Sequence, residues 1–248
     1  MSSREVGCIE AIFRYPVKSM GGERLETATM GWHGIEGDRR FAFRRLDDTG
    51  GFPWLSAGKL PDLLLFAPAR DANAPDDLPT HVRGPDGVEL PILGEGLAAE
   101  VGRRHGAPVQ MMRLDHGIFD EAAISVISLA TTDELARLAD VAPDVRRFRP
   151  NILVRPVSVG PFHEDEWVGG VLSFGDGDAA PAVAVTLRDV RCSMISLDPD
   201  SARPSPEVLK AVVRVNENNA GVYCTVNRTG EIAVGMPVFL HHRDGRES

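Results

Sequence analysis

Cys192 has the sequence context best suited to chemistry in this chain. It follows Arg191 at the end of the apolar run AVAVTLRDV and precedes SMISLDPD, so the pattern predicts a thiol where a strand gives way to a loop. A neighbouring guanidinium favours the thiolate, the form that attacks electrophiles and binds soft metals. A buried cysteine that acts as a small apolar residue is the alternative. Cys8 and Cys224 are predicted to be core residues, because both alternate with apolar neighbours in strand-like runs.

A second group of candidates combines basic side chains with short polar partners beside turn residues. Lys18 and Ser19 follow the segment YPV, Arg39 follows a Gly-Asp pair, and Arg149 and Asn151 flank a proline. Arginine suits a phosphate because its planar fork can bond two oxygens at once. Each position taken alone also fits a solvated surface charge. The pattern therefore indicates an anion site only if folding brings these residues together.

Composition and motifs argue against several other function classes. Lysine and arginine number 27 against 36 aspartate and glutamate, a formal net charge of −9 that argues against bulk nucleic-acid binding. The chain has no G-x-S-x-G elbow and no G-x-x-x-x-G-K-[ST] loop, and its seven histidines show no metal-ligand spacing. Three distant cysteines form no disulfide framework, and no apolar run reaches the roughly 20 residues of a membrane helix. We expect a cytoplasmic protein with no nucleic-acid or membrane partner.

Short apolar runs predict a mainly β (α+β) fold with a few short helices. Glycine and proline, with 25 and 18 residues, bracket these runs at close intervals, as is typical of β proteins. Three segments are predicted to be helical. One is capped by Thr131 with Glu134 closing a capping box, one starts at Ser205 and Pro206, and a weaker one covers 96–106.

The chain divides into two predicted modules. The polar, proline-rich stretch 70–86 indicates a surface excursion, and a looser seam follows at 106–117. We therefore expect a β-rich N-terminal module over residues 1–115. A second β-rich module, over residues 116–248, carries Cys192 and two of the helices.

Six motifs in chain order resemble those of a known family. They are YPVKSM, GDRRFAF, FRPNILV, FHEDEW, RCSMISLDPD and GVYCTVNRTGEIAVGMPV. Spread from about Val6 to Leu240, they are similar to the motifs of MOSC-domain proteins that carry an N-terminal MOSC barrel domain. Within that family the resemblance extends to the mitochondrial amidoxime-reducing component and its bacterial counterparts, which are molybdenum-cofactor enzymes. It implies a β-barrel MOSC domain preceded by a β-rich N-terminal barrel domain.

The resemblance also implies roles for single residues. Cys192 matches the cysteine that ligates molybdenum, with the two dithiolene sulfurs of the pyranopterin completing part of the shell. Asp120 falls in the loop IFDEAAISVISLATT near the metal and is assigned a catalytic role. Trp167 is expected to pack. Contacts to the cofactor are implied for seven further residues, Lys18, Ser19, Arg39, Ser128, Arg149, Asn151 and Arg191.

The function that the resemblance implies is that of an oxidoreductase. Its molybdenum cofactor would serve to remove oxygen from a small N-hydroxylated or N-oxide substrate. Only HHRDGRES follows Leu240, and three cysteines cannot supply a four-cysteine iron–sulfur site, so we expect electrons from a separate protein. Ile195, Ser196 and Met236 replace the usual two threonines and an aspartate of the motifs, a change that leaves the substrate open.

Two alternatives to an oxidoreductase remain. One is a molybdenum-cofactor carrier or sulfur-transfer protein with a persulfide on Cys192, in a family also associated with pyridoxal phosphate binding. The other is a β-barrel interaction module without a cofactor.

Overall fold

The computed structural model describes residues 3–74, 77–158 and 160–242. The strands in these ranges are β1 (Ser3–Arg14), β2 (Glu23–Leu25), β3 (Thr27–Gly31), β4 (Gly34–Ile35), β5 (Phe41–Arg45), β6 (Ala67–Ala69), β7 (His81–Arg83), β8 (Glu89–Pro91), β9 (Val109–Arg113), β10 (Ile124–Ser128), β11 (Ile152–Pro156), β12 (Val171–Phe174), β13 (Ala182–Val190), β14 (Asn219–Arg228), β15 (Gly230–Ala233) and β16 (Pro237–His241). The α-helices are α1 (Glu95–His105), α2 (Leu129–Ala139) and α3 (Glu207–Asn216). The expected mainly β fold with few helices is confirmed.

Seven strands close into a barrel. Their order is β11-β10-β14-β13-β12-β16-β1, and β1 also pairs with β11, so the ring has no free edge. Only β10 and β11 run parallel within it. Apolar side chains such as Ile9, Ile152, Val183 and Val222 fill the interior. Burial of these side chains removes apolar surface from water and stabilises the closed form.

Helices α2 and α3 cover one outer side of the barrel. Leu135 of α2 and Val212 of α3 pack against Ile127 and Leu153, which lie on the strands β10 and β11. All five residues of β10 are therefore buried. A strand covered on both faces loses the alternation of apolar and polar residues, as in its sequence ISVIS.

The N-terminal module has its own core, made of residues between Val17 and Met111. The pair β5–β9, the three-stranded sheet β6-β7-β8 and helix α1 surround this core. Strand β1 is different, because it pairs with β11 and β16 and so belongs to the barrel. The division drawn at residues 115 and 116 thus leaves one barrel strand in the first module.

The stretch 70–86 is more than a surface excursion, which corrects the prediction. Residues His81–Arg83 form β7, paired on both sides by β6 and β8. Val82 and Leu78 are buried in the N-terminal core. Residues 75 and 76 of the stretch lie outside the described residues.

The helix ends also correct the sequence analysis. Helix α2 begins at Leu129, and its cap is Ser128, whose Oγ accepts a hydrogen bond from the Thr131 N–H at 3.2 Å. Thr131 therefore lies inside the helix, and Glu134 pairs with Arg137 instead of closing a capping box. Helix α3 begins after Pro206 and has no side-chain cap. Helix α1 agrees with the predicted 96–106 segment and ends at Gly106, whose φ of 81° provides a left-handed cap.

No helix among the described residues is long and apolar enough to cross a membrane.

Candidate functional site

Most of the predicted site residues meet at one cavity of about 520 Å³, which we call the Cys192 cavity. It lies between the ends of barrel strands β13 and β14 and the segments 18–19 and 52–58 of the N-terminal module. The predicted residues that line it are Lys18, Ser19, Arg39, Asp120, Arg149, Arg191 and Cys192. Ser128 and Asn151 are not among the lining residues.

Cys192 lies where the sequence places it, in the loop after β13. It is exposed, and a short 3-10 helix over Ser193–Ser196 follows it. Its neighbour Arg191 turns inward and is buried. Arg191 Nε donates to the carbonyl oxygen of Ala220 at 2.7 Å, and Nη1 donates to that of Phe148 at 2.8 Å. These two hydrogen bonds fix Arg191 and so hold the backbone beside Cys192, whose thiol lines the cavity.

Gly221 leaves space for the side chain of Arg191. Its φ is 82°, in the left-handed region that favours glycine. A Cβ at this position would lie 2.7 Å from the carbonyl oxygen of Val126 and 3.2 Å from Arg191 Nη2. Any larger residue at 221 would push the guanidinium and the loop that carries Cys192.

Lys18 brings an amine to the opposite wall of the cavity. Its side chain is 6% exposed, and Nζ lies 2.8 Å from Asp120 Oδ1, whereas the Asp120 side chain is 68% exposed. Burial lowers the pKa of Lys18, and the charge of Asp120 partly opposes this shift. An ammonium held in such a place gains from an additional anion, because the one carboxylate that pairs with it among the described residues is largely solvated.

Two arginines stack on one buried tyrosine beneath the cavity. The guanidinium carbons of Arg149 and Arg39 lie 4.1 and 5.2 Å from the ring centroid of Tyr15. Burial lowers the pKa of Arg149 to about 10 and raises the pKa of the Tyr15 hydroxyl to about 12. Burial of a charged group costs free energy unless hydrogen-bond or ion-pair partners replace its contacts with water.

Asp38 organises this cluster from behind. It is buried, and its Oδ1 accepts a hydrogen bond from the Tyr15 N–H at 2.7 Å. Its Oδ2 accepts from Asn151 Nδ2 at 3.1 Å and is paired with Arg39 Nη1. Asn151 Oδ1 in turn accepts from the Ser125 N–H at 3.1 Å. Asn151 thus positions Arg39 through Asp38 and does not face the cavity.

Three lining residues have left-handed backbones although none is glycine. The φ angles are 67° at Ser19, 50° at Arg39 and 50° at Arg149. Such conformations cost about 1 kcal/mol or more per residue and cluster at functional sites. The surrounding contacts hold them: Arg39 N–H donates to the carbonyl oxygen of Tyr15 at 2.8 Å, and Arg149 Nη1 donates to that of Met20 at 2.6 Å.

Several guanidinium nitrogens at the cavity have no hydrogen-bond partner among the described residues. They are Arg149 Nη2 and the Nε and Nη1 atoms of Arg147, all buried. Arg147 uses only Nη2, which donates to Asp198 Oδ2 at 2.9 Å. Because buried donors are nearly always paired, these atoms are donors available to a ligand in the cavity. The donor set therefore fits a ligand with phosphate or carboxylate oxygens.

Sequence reasoning missed an acidic group on the barrel side of the cavity. Asp189 is buried, and its Oδ2 accepts from Ser125 Oγ at 3.0 Å and lies 2.9 Å from Arg191 Nη2. Burial raises the pKa of Asp189 to about 6, although Arg191 opposes the shift. Tyr223 lines the cavity beside it, and its pKa is raised by burial. The occurrence of the acidic residue Asp189 near the end of the largely apolar run AVAVTLRDV was the sequence signal that could have identified it.

Ser128 has a structural task in α2. Besides capping the helix, its Oγ lies 3.0 Å from Thr131 Oγ1, and its N–H donates to Glu164 Oε1 at 3.2 Å. Trp167 is 2% exposed and packs in the barrel core, as expected.

Among the described residues, no group of three or more histidine, cysteine, aspartate or glutamate side chains could hold a metal ion. A metal at Cys192 would have to bring its other ligands with it.

The fold and the cavity define a β-barrel protein with a thiol-bearing ligand site. Residues 102–239 match the family model described as MOSC domain, and residues 6–123 match the MOSC N-terminal beta barrel domain. The chain belongs to the MOSC-domain family. This family is associated with binding of the molybdenum cofactor.

A solved structure shares the fold over almost the whole chain. The YuaD protein from Bacillus subtilis is 15% identical with a TM-score of 0.54, and the match covers 98% of this chain and 99% of that one. YiiM from Geobacillus stearothermophilus is 20% identical with a TM-score of 0.38, over 49% of this chain and 55% of that one. No curated protein matches the chain.

Proposed function

We propose that this protein is a molybdenum-cofactor-dependent oxidoreductase that removes oxygen from N-hydroxylated or N-oxide compounds, with Cys192 as the protein ligand of the metal. The observation that carries the proposal is the convergence of an exposed thiol with buried, incompletely paired guanidinium groups on one cavity. The family association with the cofactor supports it. The resemblance of the motifs to the amidoxime-reducing component supports the choice of reaction.

The residues present fit such a cofactor. A thiolate is a soft ligand suited to molybdenum, and the dithiolene sulfurs of the pterin supply further ligands. Lys18, Arg39, Arg147 and Arg149 provide the donors for its phosphate and polar ring edges. The bound cofactor would supply a two-electron redox centre that accepts an oxygen atom. The chain itself supplies position and electrostatics.

Reduction of an amidoxime to an amidine breaks the N–O bond and consumes two electrons and two protons, with oxygen leaving as water. A separate electron-donor protein is part of the proposal. Asp120 and Glu121 line the cavity next to Lys18 and offer carboxylate oxygens to the N–H groups of the amidine. Asp120 is thereby the residue proposed to orient the substrate and to hold a proton at a carboxylate oxygen.

A second candidate function is sulfur transfer through a persulfide on Cys192. Exposure of the thiol favours it, because an acceptor protein must reach the outer sulfur. In that case the protein would carry sulfur or the cofactor without reducing a substrate itself.

Elemental analysis of protein from a host that makes the cofactor tests the proposal. We expect about one molybdenum per chain, since one cysteine ligand serves one metal, and turnover of benzamidoxime with reduced viologen as electron source. Cys192→Ala should lose the metal, whereas the matched control Cys8→Ala should retain it. Normal metal content in Cys192→Ala would overturn the ligand assignment. Metal without turnover, together with a sulfur adduct on Cys192 in the mass spectrum, would favour the second candidate.

A further inference from the structure

An apolar groove of about 560 Å³ lies beside the Cys192 cavity. Helix α3 and the segment after Cys192 form one side, and the loop 57–61 of the N-terminal module forms the other. Its lining residues are Ala57, Gly58, Pro61, Ser193, Ser196, Leu197, Pro204, Pro206, Leu209, Lys210, Val213 and Arg214. Val213 is 53% exposed although it is a large apolar residue. The groove thus has the size and lining of a small-molecule site.

The groove continues from the Cys192 cavity. Gly58 lines both, and Ser193 of the groove follows Cys192 directly in the chain. A cavity of about 520 Å³ holds one drug-sized molecule. If the cofactor takes that space, the body of a substrate whose reacting group reaches Cys192 must lie outside it. The groove is the adjoining space with apolar walls.

Two basic residues of α3, Lys210 and Arg214, also line the groove. Lys210 pairs with Glu207 at 2.8 Å, but both side chains are exposed, so this pair is weak. Arg214 has no ion-pair or hydrogen-bond partner among the residues that the structure covers. The groove therefore offers apolar contact from Leu209 and Val213, and positive charge from Arg214, all on the same helix.

We propose that this groove is the specificity site for the substrate, and that it binds the extended aromatic body of an N-hydroxylated amidine bearing a terminal carboxylate. The aromatic body displaces water from Leu209 and Val213, and the carboxylate pairs with Arg214. This inference rests on the proposed function for the nature of the reacting group. The recognition itself depends only on the groove.

Binding of two amidines by calorimetry tests the inference on the cofactor-loaded protein. The probes are benzamidine and 4′-carboxybiphenyl-4-carboxamidine, which differ by the second ring and the carboxylate. We expect the longer compound to bind at least about tenfold more tightly to the wild type, since a phenyl ring buries enough apolar surface for that gain. Val213→Asp should abolish the gain. Arg214→Gln should reduce it by about twofold to fivefold, the range of an exposed ion pair.

Val215→Asp is the matched control, because Val215 is an exposed valine of the same helix that does not line the groove. It should keep the full gain. Equal gains in Val213→Asp and Val215→Asp, or no gain in the wild type, would overturn the inference. Lack of turnover with every N-hydroxylated compound, combined with a gain that only Val213→Asp removes, would refute the proposed function and leave the groove as a binding site.

Discussion

The buried carboxyl of Asp189 makes a measurable link between pH and stability. It lies between Arg191 and Ser125 on the wall of the Cys192 cavity, and Tyr223 faces it. Its Oδ1 has no hydrogen-bond partner among the described residues. Burial raises the pKa of Asp189 from 3.8 to about 6, because the ionised form loses its hydration and one guanidinium only partly replaces it.

The magnitude follows from the shift in pKa. A rise of about 2 units corresponds to about 3 kcal/mol of free energy between the folded and unfolded states. Below about pH 4 the carboxyl is protonated in both states and contributes nothing, but the unfolded chain loses its proton first as the pH rises. Wild-type stability should therefore fall through the window from about pH 4 to about pH 6.5, by up to about 3 kcal/mol from this group.

Urea unfolding of the wild type and Asp189→Asn at several pH values measures the effect. The free energy of unfolding of the variant, minus that of the wild type, should increase by up to about 3 kcal/mol across the window. The ion pair with Arg191 forms only with the ionised carboxylate, so its loss is already part of this pH-dependent difference. Asp47→Asn, at an exposed position, is the control for removing a carboxylate from the chain. Parallel curves for the wild type and Asp189→Asn would refute the reasoning.

Three further substitutions test the supporting structure. Asp38→Ala should lower the free energy of unfolding in urea by about 3–5 kcal/mol, because it leaves the Arg39 side chain, only 15% exposed, without its buried carboxylate; a loss under 1 kcal/mol would contradict the role of Asp38 as organiser. Trp167→Ala should cost about 3–5 kcal/mol in the same assay by opening a cavity in the barrel core, and an unchanged value would contradict its packing role. Ser128→Ala should cost about 1 kcal/mol through loss of the α2 cap and leave the metal content unchanged; loss of metal would instead give Ser128 a place at the cofactor.

Local sequence patterns could predict the position of the thiol. The apolar run ends at Val190, and a strand that ends there leaves Cys192 on a loop, as the structure has it. The proximity of Lys18, Arg39 and Arg149, in contrast, could not be predicted from local sequence patterns. These residues are far apart in the chain, so only the pairing of distant strands brings them together. The sequence grouped them by residue type and by resemblance to a family, but neither could show that they meet at one cavity.

The misses have identifiable physical causes. Asp189 escaped notice because register irregularities between β13 and β14, at Val185/Leu187 and Arg188/Val190, break the simple alternation of its strand. Ser128 and Thr131 both have hydroxyls suited to capping, and the choice depends on where β10 ends. Val82 stands between polar residues, so its burial in β7 depends on partners that are invisible locally.

The place of β1 in the barrel has a consequence for biosynthesis. Its partners are β11, at residues 152–156, and β16, at residues 237–241, so β1 is synthesised well before either neighbour is available. The core of residues between Val17 and Met111 contains no residue of a later segment, so its apolar side chains are all available while translation continues. Until β16 emerges from the ribosome, the edge of β1 that pairs with it offers open backbone groups to other chains, and the speed of ring closure limits that exposure.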